Sequence, residues 1–384
     1  MTAPDRETDW DIFCQVVDNY GDIGVCWRLA RQLANEHGLA VRLWVDALDS
    51  FARICPQLDP RLDRQWIGDV EVRRWIGNFD EIEPGDVVIE AFACQLPEAF
   101  IERMARRKPR PAWVNLEYLS AEAWTLGCHT LPSPHPRLPL TKYFFFPGFS
   151  ERSGGLLREA GLESRRGAFC AAREEQADFW RTIGASPREG AFLISLFAYE
   201  NAALAALLAA CETSRRPVCC LAPLTRTLPQ VEAYAGRTLR AGDVVRRGML
   251  EIRILPFVAQ DDYDRLLWSC DINFVRGEDS FVRAQWAARP MVWHIYPQAD
   301  DAHLVKLVAF LDLYCAGLSA AAADAVRRLH QAWNGEPALL TPALWGQWLA
   351  AFDELREHAT KWTNSLSKQE DLCGQLVRFC RSKL

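Results

Sequence analysis

No stretch of this sequence is apolar for long enough to cross a bilayer: the most continuous apolar run, 202–211, covers half of the roughly 20 residues a spanning helix needs. The opening MTAPDRETDW lacks a basic segment followed by an apolar one, so a secretory leader is not expected and a cytoplasmic protein is. A basic excess is missing too. Forty-four Lys and Arg against fifty Asp and Glu leave a formal charge of −6, which argues against a life on a phosphate backbone and removes nucleic acid as the main partner. There is no Cys-x-x-Cys, and thirteen is an odd number of cysteines, so they are expected as buried, reduced thiols rather than a disulfide framework. The seven histidines are scattered, no His-Glu-x-x-His occurs, and the adjacent Cys128 and His129 cannot make a zinc site alone. No metal is expected. Gly-x-Gly-x-x-Gly, Gly-x-x-x-x-Gly-Lys-Ser/Thr, Gly-x-Ser-x-Gly and the kinase signatures are all absent, which weighs against a dehydrogenase, a P-loop enzyme and an α/β-hydrolase.

What is present is an ordinary globular composition, 49% hydrophobic and 24% charged. Its 384 residues, at roughly 150 per domain, call for two domains. The start alternates as an α/β fold does. WDIFCQVV (10–17) is β-rich, DNYGDIG is a turn, 25–37 is helical in period with Cys26, Leu29, Ala30 and Leu33 on one stripe, and AVRLWV (40–45) is a second strand. Strands at 86–90 and 112–116, with a helix at 98–107 between them, continue the alternation. From 128 to 153 the chain turns Pro-rich and is expected to be irregular. Regular periodicity returns near Glu174. The second half then repeats the pattern: strand 191–197, helix 201–214, strand 217–221, strand 251–256, helix 263–269, strand 271–275, helix 280–288, strand 291–295. The expected division is a first domain 1–155, a linker 156–173, a second domain 174–360 and a helical tail 361–384 that crosses back to the first. Two doubly wound halves would leave a cleft at the carboxyl ends of their strands, the usual ligand position for this class.

The strand-to-helix loops therefore deserve the chemistry. In DNYGDIG, Asp18 and Asp22 are four residues apart beside two glycines. A carboxylate there suits a general base, while a helix N-cap at Asp22 with an Asx-turn at Asp18 is the plain structural alternative. In RGEDS (276–280) a strand ends and a helix opens, so backbone N–H groups and the Ser280 hydroxyl suit a phosphate or diphosphate, with Glu278 and Asp279 turned to sugar hydroxyls. Aromatics at 197, 199 and 257 could stack on a nucleobase or lie in the core. Gln260 could read a pyrimidine edge or cap the helix near Tyr263. The acidic run 261–264 reads as a charged first helical turn rather than a metal site.

DNYGDIGVCWRLARQL, FAYEN, LPFVAQDDYDRLLW and RGEDSFVRAQWAARPMVWHIYPQ together resemble the bacterial elongation factor P arginine rhamnosyltransferases, the EarP family, over essentially the whole chain. The resemblance implies a GT-B fold with two Rossmann-like domains across a cleft and a dTDP-β-L-rhamnose donor held by the second. It implies elongation factor P as the protein acceptor, an inverted α-rhamnosyl arginine as product, and rescue of ribosomes stalled at proline runs as the outcome. Carried over position by position, it places the catalytic carboxylates at Asp18, Asp22 and Glu278, and donor contacts at Phe197, Tyr199, Phe257, Gln260, Asp279 and Ser280. No metal or other cofactor is implied. Competing readings are a GT-B transferase acting on a small molecule or lipid, a non-catalytic nucleotide-sugar binder, and a Rossmann dehydrogenase.

Overall fold

The computed structural model describes residues 10–384 apart from Asn19, Gly77, Asn78 and Asp80. The chain divides into two compact units, Met1–Ala160 with Ser367–Leu384, and Gly161–Leu366.

The sheet of the first unit is built from β1 (Trp10–Cys14), β2 (Val41–Val45), β3 (Arg64–Ile67), β4 (Val70–Arg74), β5 (Val87–Ala91), β6 (Ala112–Leu116), β7 (Pro132–Pro134) and β8 (Thr141–Phe145). Their order is β3-β4-β2-β1-β5-β6-β8-β7, parallel except at the edges, where β3 and β7 run antiparallel. The central strands are buried on both faces, which is why they read as continuous apolar runs rather than alternating ones. Phe13 of β1 anchors one side of this sheet, stacked on Trp44 at 5.6 Å and edge-on to Phe100 at 4.9 Å. Polar residues are buried among them, Asp11 of β1 completely. Asp11 binds Arg42 of β2 through both carboxylate oxygens and also accepts from the Trp44 indole and the Gly85 amide, so its charge is fully partnered.

Two expectations need correcting here. The Pro-rich stretch is not irregular throughout, because β8 pairs with β6 in the central sheet and β7 covers its edge. Pro132 and Pro134 are tolerated there since an edge strand leaves N–H positions unused. The segment expected as a linker, 156–173, contains the helix Leu162–Ala171, whose Phe169 packs on Phe179 and Trp268 inside the second unit. Gln32 donates to Asp371, the Leu372 amide to Leu156, and Arg158 to the Ser367 carbonyl, so residues 367–384 are stitched into the first unit.

The second unit carries β9 (Phe192–Leu196), β10 (Val218–Pro223), β11 (Val244–Arg247), β12 (Leu250–Leu255), β13 (Ile272–Arg276) and β14 (Met291–His294), in the order β11-β12-β10-β9-β13-β14 with only β11 antiparallel. Phe192 sits against Trp345, Trp348 and Phe352 of the following helices. In each unit the chain winds away from its first strand in both directions, between β1 and β5 and between β9 and β13. These are the switch points where α/β sheets open a crevice beyond their strand ends. All thirteen cysteines are free thiols, eleven of them buried, and no helix among the described residues is long and apolar enough to cross a membrane.

Candidate active site

In the first unit the loop after β1 delivers Asp18 and Asp22. The helix begins at Gly21, four residues earlier than its apolar period suggests, so Asp22 stands in the first helical turn instead of the loop. Its side chain does not cap the helix. Asp22 Oδ2 reaches back and accepts the amides of Val17 and Asp18, both at 2.8 Å, and Oδ1 accepts the Tyr118 hydroxyl at 3.1 Å. The carboxylate is only 2% exposed, and burial pushes its pKa upward, reinforced by Asp46 and opposed by the two amides and Tyr118. Asp46 in turn accepts the Val16 amide and pins the start of the loop. Asp18 is half-buried, and a Cβ on Gly21 would lie 2.8 Å from its Oδ2. Glycine at 21 is what lets the Asp18 carboxylate fold against the helix start.

Tyr118, which sequence reasoning did not single out, lies past β6 and stacks face to face on Phe92, with centroids 4.4 Å apart and planes at 18°. Phe92 and Ala93 both adopt positive φ, 57° and 55°. For residues with a Cβ this costs about 1–2 kcal/mol each. The turn is held by the Phe92 amide on Leu116 O, the Ala93 amide on Asn115 Oδ1 and the Cys94 amide on Ala91 O.

In the second unit the ends of β9, β12, β13 and β14 lie on one edge. Phe197 and Tyr199 follow β9, Phe257 follows β12, Glu278 precedes the helix Asp279–Ala287 after β13, and Tyr296 follows β14. The Arg276 guanidinium sits 4.6 Å from both the Phe197 and the Tyr199 ring centroids, and Tyr199 meets Tyr296 edge-on at 5.6 Å. Phe197 and Phe257 are half-buried rather than core, leaving ring surface for a ligand. Gln260 opens the helix Gln260–Ser269 and donates to Asp279 Oδ2 at 3.1 Å, so it joins two of the loops. Gly277 turns with φ 59° and is held by its amide on His294 O and by the Trp293 indole on its carbonyl. Ser280 differs from expectation. Its hydroxyl donates to the Arg276 carbonyl and accepts the Arg276 amide, so the proton meant for a phosphate is engaged by the end of β13. What the helix start offers an anion is its backbone N–H groups and their dipole. Beside Tyr199 opens a cavity of about 220 Å³ lined by Asn201, His294, His303, Trp333 and Asn334 among others.

Two units of parallel α/β sheet, one carrying a buried carboxylate after its first strand and the other an aromatic rim beside a helix N-terminus, define a GT-B glycosyltransferase. Spinosyn rhamnosyltransferase SpnG, solved with thymidine diphosphate, shares this fold with a TM-score of 0.51 at 13% identity, over 97% of this chain and 99% of its own. A family model described as elongation factor P (EF-P) rhamnosyltransferase EarP matches residues 10–381, and the chain belongs to that family. A protein-arginine rhamnosyltransferase of Pseudomonas aeruginosa is 53% identical, covering 96% of this chain and 98% of its own. A solved structure described as the basis for EarP-mediated arginine glycosylation of translation elongation factor EF-P has a TM-score of 0.70 at 39% identity, over 98% and 99% of the two chains.

Proposed function

We propose that this enzyme transfers L-rhamnose from dTDP-β-L-rhamnose to one arginine side chain of elongation factor P, with inversion to the α-linked product. The observation that carries the reading is the family match from residue 10 to 381, in a chain that has Asp18, Asp22 and Glu278 in place. A guanidinium, with a pKa above roughly 12 and a delocalised lone pair, is a poor nucleophile, so carboxylates must activate it.

In this reading the arginine nitrogen attacks C1 of the sugar, the C1–oxygen bond to the diphosphate breaks, and the nitrogen's proton passes to Asp22. The raised pKa of Asp22 supports that role, because a base is most effective when its pKa approaches the working pH. Asp18 pairs with the guanidinium and orients it, and Glu278 holds the sugar or the approaching arginine. Phe197, Tyr199 and Phe257 pack on the nucleotide, Gln260 and Asp279 fix its polar edges, and the helix start at Asp279 and Ser280 receives the departing dTDP. With N–H groups and Arg276 available to that charge, the reaction needs no metal, and turnover is expected to withstand a chelator. A translation factor as acceptor places the enzyme in the cytoplasm, where its product serves ribosomes stalled at proline runs. A small-molecule or lipid acceptor, or a purely binding role, is not favoured by relatives whose common activity is protein-arginine rhamnosylation.

The test is incubation with dTDP-β-L-rhamnose and elongation factor P followed by peptide mass spectrometry. One rhamnosylated arginine is expected with the parent enzyme and almost none with folded Asp22→Asn; an unmodified acceptor would overturn the reading.

A further inference from the structure

We propose that Tyr118 is a positioning residue of the transfer: stacked on Phe92, it donates its hydroxyl to Asp22 Oδ1 and sets the angle at which that oxygen meets the arginine proton. The inference rests on Asp22 being the base. Three observations carry it. Among the described residues, Asp22 Oδ2 takes two amide donors and Oδ1 takes only the Tyr118 hydroxyl. A carboxylate oxygen has two acceptor directions, so Oδ2 is spent on holding the loop and Oδ1 is the oxygen left to take a proton. Tyr118 lies 96 residues away in the chain and on a different strand end, so this bond is no by-product of local loop geometry.

The support behind Tyr118 is specific as well. Its ring is held face to face by Phe92, and Phe92 reaches that place only because two consecutive residues with side chains accept positive φ. Strain kept beside an ionisable group is a sign that the placement matters more than the stability it costs. Asn115 pays that strain back by taking the Ala93 amide, and its own amide is tied to Glu117 at 2.5 Å. The route runs from Asn115 through the Phe92–Ala93 turn and the Tyr118 ring to the carboxylate.

The other titratable groups against Asp22 are Asp46, which raises its pKa, Asp18 in the same loop, and the Cys14 thiol, itself kept neutral by burial. Among them Tyr118 is the side chain that donates to Asp22 and favours its ionised form. Removing the hydroxyl therefore both frees the carboxylate to turn and raises its pKa.

The test compares Tyr118→Phe, Phe92→Leu, Asp22→Asn and the double variant Tyr118→Phe/Asp22→Asn with dTDP-β-L-rhamnose and elongation factor P, after circular dichroism confirms the fold of each. Tyr118→Phe keeps the stack and is expected to lose about 10- to 100-fold in kcat with an unchanged donor KM, and to move the acid limb of its pH profile to higher pH. Phe92→Leu keeps the hydroxyl and should fall between parent and Tyr118→Phe. The double variant should be no slower than Asp22→Asn, because Tyr118 acts through that carboxylate. A parent-like rate and pH profile for Tyr118→Phe, with Asp22→Asn inactive, overturns the inference and leaves the base assignment standing. A slower double variant overturns it too. Near-normal turnover by Asp22→Asn overturns the base assignment and the inference together.

Discussion

Arg283 and Asp264 form a two-pronged ion pair, 2.8 and 2.6 Å long, that bolts the helix Asp279–Ala287 to the helix Gln260–Ser269. Arg283 is 1% and Asp264 8% exposed. These two helices open with Asp279 and Gln260, so the pair fixes the distance between the two loops proposed to bind the donor. Asp264→Asn removes the charge that balances a buried guanidinium and should cost about 3 kcal/mol, measured as a lower urea midpoint. Asp264→Leu/Arg283→Met is expected to recover most of that loss, because an apolar pair has no charge to desolvate.

Gly21→Ala is expected to separate activity from stability. Alanine is the better helix residue, yet its Cβ would press on Asp18 Oδ2. The thermal midpoint should change little while turnover falls roughly 10- to 100-fold from the displaced carboxylate. Parent-like turnover would show that the position of Asp18 is not critical.

Arg276→Lys should weaken donor binding. A planar guanidinium lies against the Phe197 and Tyr199 rings, and a lysine ammonium cannot stack on them in the same way. Donor KM should rise about tenfold, equivalent to about 1.4 kcal/mol, with a smaller effect on acceptor KM. An unchanged donor KM would remove Arg276 from the donor site.

Acid stability should be governed by two buried histidines. His294 is pushed down to about 3 by burial and by Arg276 and His303, and His330 to about 4 by burial despite the Val326 carbonyl. Both are neutral in the folded protein and take up protons more readily when it unfolds. Stability is thus complete above roughly pH 6.5 and is lost as pH falls towards the folded values, by about 2 kcal/mol per histidine between pH 7 and pH 5. Urea titrations at the two pH values should show this loss, and His294→Asn should reduce it by its own share.

Much of the α/β alternation was legible because strands and helices announce themselves by local period and by what ends them. Gly38, in the left-handed region at φ 64°, closes the first helix where the sequence places its end. The start of that helix was misplaced because Gly21–Asp22–Ile23–Gly24 is a poor helix by propensity. The fold makes it helical by burying Asp22, Ile23 and Gly24 and by giving Asp22 distant partners. β8 was hidden for a similar reason, since its pairing with β6 is a long-range event and the prolines around it, in β7 and the flanking loops, suggest irregular chain. Asp11, an acid in the middle of a buried strand, gives no local sign that Arg42 and Trp44 will satisfy it.

By itself the sequence determined the class of chain: no apolar run long enough for a spanning helix, no basic excess, two α/β halves, and loops whose residues resemble one family of rhamnosyltransferases. Those properties follow from composition and from neighbours a few residues apart. Tertiary structure alone decided that Asp22 is buried and pinned by Val17, Asp18 and Tyr118, that the Ser280 hydroxyl is engaged by Arg276, and that Arg276 lies against two rings. Each depends on groups brought together from different strand ends or across a turn, and hydrogen bonds and burial act on distance in space, which sequence spacing does not specify.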